Sequence, residues 1–148
     1  EIVKSKPSDA PTLTQIAKKS KKYWGYSDEQ IEKWKDDLTI TKKETTENII
    51  FHILVDNKVA GFYSISFDGK EAEIEHMWIL PEYIGKGFGK KLLSHMKGIV
   101  KSKGAKKIEV TPDPNAEGFY KKMGFRCVGE MESSIKGSML PILVLEIK

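Results

Sequence analysis

"LPEYIGKGFGKKLLSHM", residues 80–96, decides the fold of this 148-residue chain. Gly85, Gly87 and Gly89 alternate within it among lysines, ahead of an apolar-striped run. Glycines in such a place let the backbone approach a partner closely. A P-loop needs its second glycine five positions after the first, followed by Lys and Ser/Thr, but five positions after Gly85 stands Lys90. A dinucleotide fingerprint needs its third glycine at that same place, and an acidic residue about 20 positions on. Both patterns fail. What stays is a strand, a short glycine loop and a helix N-terminus. That arrangement aims free N–H groups and the positive helix end at one point, an anion site to which Lys86 and Lys90 add charge. The plainer alternative is a tight strand-to-helix turn.

Outward from the loop, Phe88, Leu92, Leu93, Met96, Ile99 and Val100 recur at helical spacing, and Gly104 ends the helix. "KKIEVT" then reads as a strand. A strand on each side of a helix of about 15 residues predicts a parallel βαβ step within a mixed sheet. Upstream, "NIIFHILV", "KVAGFYSISF" and "EAEIEHMWIL" predict an antiparallel meander with turns at Asp56-Asn57 and Asp68-Gly69. Ser8 or Asp9 is expected to cap a first helix, with Pro11 in its first turn and Leu13, Ile16 and Ala17 as its stripe. Ser27 is expected to cap a second, carrying Ile31, Trp34 and Leu38. "TITKKETTEN" between them and the meander reads as a loop. Asp113-Pro114 opens a last helix ending at Gly124, and "FRCVGEME" and "MLPILVLEI" are the final strands.

The length fits one domain, residues 1–148. Hydrophobic residues at 39% and charged residues at 31% are ordinary for a globular protein. No apolar run reaches the roughly 20 residues of a membrane span. The opening Glu1-Ile2-Val3-Lys4 lacks a signal-peptide pattern and a Met, so a short stretch is expected to be missing ahead of it. The single Cys127 cannot form an internal disulfide, which fits a reducing cytoplasm, and it is expected to be a buried strand residue. His52, His76 and His95 are scattered without metal-ligand spacing, so no metal is expected. The net charge is +4, with lysines at 18, 19, 21 and 22 and again from Lys86 to Lys107. These runs are solvated faces or face an anion. They are not interleaved with aromatics, which argues against nucleic acid.

At this point the residues resemble a known family. "ILPEYIGKGFGKKLL" is similar to motif A of the GNAT superfamily of acyl-CoA-dependent N-acyltransferases. Ile79-Leu80-Pro81 supplies its apolar-x-Pro step, and Gly87 and Gly89 supply its glycines. Ile84 stands where the family carries Arg or Gln, and Lys86 at a spot often basic. "DPNAEGFYKKMGF" resembles motif B through Asp113, Ala116, Phe119, Tyr120, Gly124 and Phe125. The usual Asn position is Asp113, with Asn115 two residues later, and both stay candidates for the cofactor contact. The order of elements resembles the whole GNAT fold. That implies an α/β (α+β) chain with a mixed, mostly antiparallel six- to seven-stranded sheet, helices on both faces and splayed central strands.

The resemblance implies an acetyl-CoA donor. Its pyrophosphate would lie on the backbone of Ile84, Gly85, Lys86, Gly87, Phe88, Gly89 and Lys90. Its pantetheine arm would pair with the open edge at Met77, Trp78 and Ile79, and Phe119 would pack on that arm. The reaction is attack of an amine on a thioester. Freeing an amine of pKa about 10 at pH 7 costs roughly 4 kcal/mol, so a base helps. By the period-two rule Glu73 and Glu75 share a strand face away from His76. Glu75 is preferred as the base, with Glu73 acting through water; the alternative for both is surface charge. His76 reads as a packed or solvated histidine. Tyr120 is the family's candidate acid for the departing thiolate, helped by local donors or positive charge. Its alternative is a ring packed in the core.

Tyr23, Trp24, Tyr26 and Trp34 would wall the acceptor amine, since cations sit well over aromatic faces; the alternative is ordinary core packing. "SKKYWGY", residues 20–26, sets a glycine between aromatics in a connection, where recognition often lies. Ser133, Ser134 and Lys136 could face the acceptor or simply form a solvated turn. The expected function is transfer of acetyl to a small-molecule or peptide primary amine in a ternary complex. The expected assembly is a monomer or homodimer without membrane partners. The competing reading is a non-catalytic acyl-CoA-binding module.

Overall fold

A computed structural model of the chain describes residues 1–133 and 138–148. Among the described residues seven strands form one sheet: β1 (Ile2–Lys4), β2 (Ile49–Val55), β3 (Lys58–Asp68), β4 (Glu71–Ile79), β5 (Lys107–Val110), β6 (Arg126–Glu132) and β7 (Met139–Glu146). Their order is β1-β2-β3-β4-β5-β7-β6. The β1/β2, β2/β3, β5/β7 and β6/β7 pairs are antiparallel, while β4/β5 is parallel. The helices are α1 (Ala10–Tyr23), α2 (Asp28–Lys33), α3 (Lys35–Leu38), α4 (Lys42–Glu47), α5 (Phe88–Ser102) and α6 (Glu117–Lys122). The meander and the β4–α5–β5 step are those expected from the hydrophobic periodicity.

The departures are local. Strand β1 is too short for its alternation to show, and it forms by pairing Val3 with His52. The expected loop at 39–48 contains α4, whose start is set by Thr41: its Oγ1 accepts from the Glu44 N–H at 3.1 Å. The expected second helix breaks at Trp34 (φ −93°, ψ 11°) into α2 and α3. Ser27 caps α2 as expected, accepting from the Gln30 N–H at 3.1 Å. Asp9 does not cap α1 with its side chain; its carboxylate instead accepts from the Lys6 N–H at 2.7 Å. Asp113 caps a 3-10 turn at Pro114–Ala116, accepting from the Asn115 N–H at 2.8 Å, and α6 follows. Cys127 is exposed rather than buried, because β6 is an edge strand. Ser134 and Lys136 lie outside the described residues.

Packing divides the chain into two compact units. One comprises Glu1–Ser66 and Glu75–His95, the other Phe67–Ile74 and Met96–Lys148. In the first, Leu13, Ile16, Ala17, Leu38, Ile40, Ile50 and Phe62 form a core, and Ile31, Trp34, Trp78 and Leu80 pack against it. Each fully buried large apolar side chain there contributes about 1.5–3 kcal/mol. The Asp56-Asn57 turn has φ of 50° and 65°, the positive pair of a two-residue hairpin. In the second unit Met96, Val100, Ile108, Leu143 and Val144 are buried, and α6 packs on β7. The parallel pairing there covers Glu71↔Lys107, Ala72↔Ile108 and Glu73↔Glu109, and β4 continues past its last pair.

Candidate functional site

In the first unit, β4 delivers its end to the glycine loop. Gly61 on β3 allows this approach, since a Cβ there would lie 2.5 Å from the Trp78 carbonyl oxygen. Pro81–Tyr83 makes one 3-10 turn, and Gly85 and Gly87 follow at φ +82° and +83°. These are left-handed conformations that side chains disfavour. Helix α5 starts at Phe88, with the Lys91 N–H bonded to the Gly87 carbonyl. The amides of Phe88, Gly89 and Lys90 therefore precede the first intrahelical bond. Residues 84–87 and Lys90 are exposed, with Ile84 at 40%. The Lys86 ammonium lies 5.9 Å from the Tyr83 ring, whose edge meets Phe88. The loop can thus offer backbone N–H groups to an anion without help from Ile84.

Glu75, Met77, Trp78 and Ile79 share this unit. Glu75 is exposed and accepts from Ser66 Oγ at 2.8 Å, which orients its carboxylate. His76 is half-buried, and its Nδ1 accepts from Trp78 Nε1 at 3.1 Å. Burial pushes its imidazole below the ordinary range, against the charges of Glu75 and Asp37. It is therefore a neutral, packed histidine with its proton on Nε2.

Sequence reasoning gave no site role to Ser20, which fastens the aromatic segment to β4, or to Lys21. Ser20 Oγ donates to the Ile79 carbonyl at 3.0 Å, so that carbonyl already has a donor. Lys21 lies beside two of the four aromatics. Its Nζ is 4.8 Å from the Tyr26 centroid and 4.8 Å from the Trp34 centroid. Those rings meet edge to face at 4.9 Å and 86°. Tyr23 and Trp24 form a separate pair at 5.3 Å and are 55% and 37% exposed. The signal was the "SKKYWGY" connection itself, although nothing in it announces that Lys21 folds back.

The second unit carries the remaining expected residues. Glu73 is exposed beside Glu109 in the parallel register. Asp113 is half-buried and accepts from both the N–H and Nδ2 of Asn115 at 2.8 Å, which leaves Asn115 exposed and Asp113 engaged. Phe119 meets the Tyr120 ring edge-on at 5.3 Å, and Phe125 meets it at 5.2 Å. Tyr120 is 4% exposed. Burial pushes its phenol above the ordinary range, opposite to the expectation that nearby donors or positive charge would favour phenolate. The group is a protonated hydrogen-bond donor at any physiological pH. Among the described residues no helix is long and apolar enough to cross a membrane, and no group of three or more His, Cys, Asp or Glu side chains could hold a metal ion.

Residues 12–125 match the model of the acetyltransferase (GNAT) family. The chain is 33% identical to the spermidine N(1)-acetyltransferase of Thermoplasma acidophilum, covering 85% of this chain and 88% of that protein. Its fold matches the crystal structure of the PaiA N-acetyltransferase of T. acidophilum in complex with coenzyme A, with TM-score 0.81, 26% identity and coverage of 99% and 98%. A GCN5-related N-acetyltransferase from Rhodopseudomonas palustris shares the fold, with TM-score 0.83, 22% identity and coverage of 99% and 94%. This chain belongs to the GNAT family and is an N-acetyltransferase that takes its acetyl group from acetyl-CoA.

Proposed function

We propose that the chain, acting as one domain over residues 1–148, acetylates a primary amine of a small polyamine-like cation by direct attack on acetyl-CoA. The observation that carries the acceptor class is the Tyr26/Trp34 corner, which already holds an alkylammonium, that of Lys21. The surrounding segment supports it. Residues 28–37 hold five acids against two lysines, a net of −3 in a chain of +4. A local negative field of this kind draws cations in. The T. acidophilum relative acts on spermidine, a molecule of this class. A cytoplasmic setting goes with the reading, since the lone Cys127 forms no internal disulfide.

In this mechanism the loop amides at 84–90 hold the pyrophosphate, and the β4 edge at Met77 and Trp78 pairs with the pantetheine arm. The Ile79 carbonyl serves the scaffold through Ser20. Phe119 packs on the arm, and Asn115 is the better cofactor contact because it leaves Asp113 as the cap. Glu75, oriented by Ser66, takes the proton from the acceptor ammonium, with Glu73 relaying through water. The free amine forms the C–N bond at the thioester carbonyl, its nitrogen releases a second proton to solvent, the C–S bond breaks, and the thiolate leaves. Tyr120 donates a hydrogen bond to that sulfur. Full transfer from a phenol at or above pKa 10 to a thiolate whose acid has pKa about 8.5 is uphill by about 2 kcal/mol or more. Stabilisation of the leaving sulfur, with the proton completed from solvent, is therefore its main effect.

The test follows free thiol from acetyl-CoA with a panel of amines including spermidine. Turnover is expected with polyamines above monoamines. Tyr120→Phe keeps the ring contacts and is expected to lower kcat about 10²-fold or more with the KM for acetyl-CoA nearly unchanged. Undiminished kcat removes Tyr120 from the chemistry. Thermal stabilisation by coenzyme A without thiol release from any amine would make the chain a non-catalytic acyl-CoA-binding module.

A further inference from the structure

We propose that Tyr26 and Trp34 form a subsite for the non-reacting ammonium of the acceptor, and that Lys21 is its resident cation. The acceptor displaces Lys21, and that residue thereby sets how strongly polyamines are preferred over monoamines. The inference rests on the proposed amine-acetylating function and concerns the far end of the same acceptor.

A single Nζ stands 4.8 Å from two ring centroids whose planes differ by 86°. Both distances lie inside the roughly 6 Å range of cation–π attraction. A cation in such a corner touches two faces at once. The two walls are fixed by different means. Trp34 sits at the break between α2 and α3 and packs on the first unit's core. Tyr26 follows Gly25, whose φ of +97° turns the chain out of α1. The occupant is a side chain rather than part of the walls: Lys21 reaches the corner on four methylenes from the last turn of α1. That side chain is chemically a primary alkylammonium, like the terminus of a polyamine. The resident group thus reports what the corner accepts.

The neighbours of Lys21 hold the corner in place. Ser20 bonds the Ile79 carbonyl at the end of β4, and Lys22 pairs with Asp28 at the start of α2. The corner is thereby tied to the strand whose edge receives the acetyl donor in the proposed mechanism. A long cation can place one amine for reaction and a second in the corner, whereas a monoamine cannot use both.

The experiment compares the KM for propylamine with that for spermidine in wild-type protein and in Lys21→Met, with thermal melts confirming the fold. The ratio of the two KM values is expected to rise about tenfold in Lys21→Met, because the competing internal cation is gone. Trp34→Leu is expected to lower the ratio toward one. If Lys21 is only a strut, Lys21→Met lowers the melting temperature and leaves the ratio unchanged, and the proposal fails. Lys21→Gln provides the same reading should the Met variant not fold. Tetramethylammonium binding, followed by tryptophan fluorescence, separates this proposal from the acetylation reading. If no amine is acetylated yet Lys21→Met binds tetramethylammonium about tenfold more tightly than wild type, and Tyr26→Leu abolishes that gain, the subsite stands without the proposed reaction. Equal affinity in wild type and Lys21→Met overturns it.

Discussion

Residues 84–90 and residues 20–34 lie in the same compact unit and are built in opposite ways. The glycine loop works through its backbone: positive φ at Gly85 and Gly87, three helix amides ahead of the first intrahelical bond, and exposed side chains. The aromatic segment works through side chains, three of them consecutive on the last turn of α1. Ser20 reaches β4, Lys21 folds over Tyr26 and Trp34, and Lys22 reaches Asp28. A backbone device needs particular residues at adjacent positions, so it leaves a local pattern. A side-chain device needs only that the chain returns to the same place, and it leaves almost none. The proposed donor site is therefore legible in the sequence, while the proposed acceptor corner emerges only after folding.

The largest effect is expected where the backbone comes closest. Gly61→Ala places a Cβ 2.5 Å from the Trp78 oxygen and 3.2 Å from Ile79 Cα, both parts of the main chain. Overpacking of this kind costs about 1–3 kcal/mol. Thermal melts should show a loss of about 3–10 °C for a chain of this size. Because the shift falls on β4, the KM for acetyl-CoA should rise as well. An unchanged melt would mean that β4 yields freely and that the donor side is not the rigid partner in the comparison.

Next come two neighbours in the loop. Gly87→Val forces a β-branched residue to φ +83°, at about 1–2 kcal/mol, so coenzyme A affinity should fall about tenfold. Lys86→Ala removes an exposed charge whose contribution is about 0.2–1 kcal/mol, so the loss should be about fivefold or less. Isothermal titration with coenzyme A checks both. If the lysine matters more than the glycine, the loop binds by charge rather than by amides, and the contrast between the two regions disappears.

The same contrast explains what could be read from the sequence. The meander, the βαβ step and the glycine loop depend on hydrophobic period and turn residues, and all three were legible. Helix α4 was not, because its polar stretch carries no apolar stripe and reads as a loop; its start is set by the Thr41 cap. Strand β1 was not, because three residues show no alternation and their pairing partner lies some fifty residues on. Neither was the break at Trp34, where packing on the core overrides a continuous helical stripe. Cys127 was expected to be buried because it lies in a strand, whereas its exposure depends on strand order. The phenol of Tyr120 carried the same ambiguity: a motif names the residue, but only burial fixes the direction of its pKa.

A smaller effect comes from pH. Burial lowers the pKa of His52, His76 and His95. Their folded values thus lie below the unfolded value of about 6.5. Between the two values the unfolded chain binds more protons, so stability rises with pH. The contribution is complete above about pH 6.5 and is lost as pH falls through the folded values. Melting temperature should therefore decline from pH 7.5 to 5.5. His76→Gln should flatten that slope, since burial holds the His76 imidazole neutral. The glycine loop contains no histidine, so the acid sensitivity belongs to the rest of the chain. A slope unchanged in His76→Gln would assign it to His52 and His95 instead.

The smallest effect separates glycine as a residue type from glycine as a conformation. Gly98 lies in α5, ten residues beyond the helix start. A Cβ there meets nothing within 4 Å, and its φ is not positive. Alanine in an exposed helix interior is favoured over glycine by about 0.5–1 kcal/mol. Gly98→Ala should raise the melting temperature by about 1–4 °C. Coenzyme A affinity should stay as it is, since the loop amides sit at the other end of the helix. A gain in stability with affinity intact, set against the loss in Gly87→Val, would show that the donor site depends on two left-handed residues and the amides they release rather than on a flexible glycine-rich helix. Weaker coenzyme A binding in Gly98→Ala would mean that the helix must flex to bind. The donor side would then be as dependent on the folded whole as the aromatic corner is.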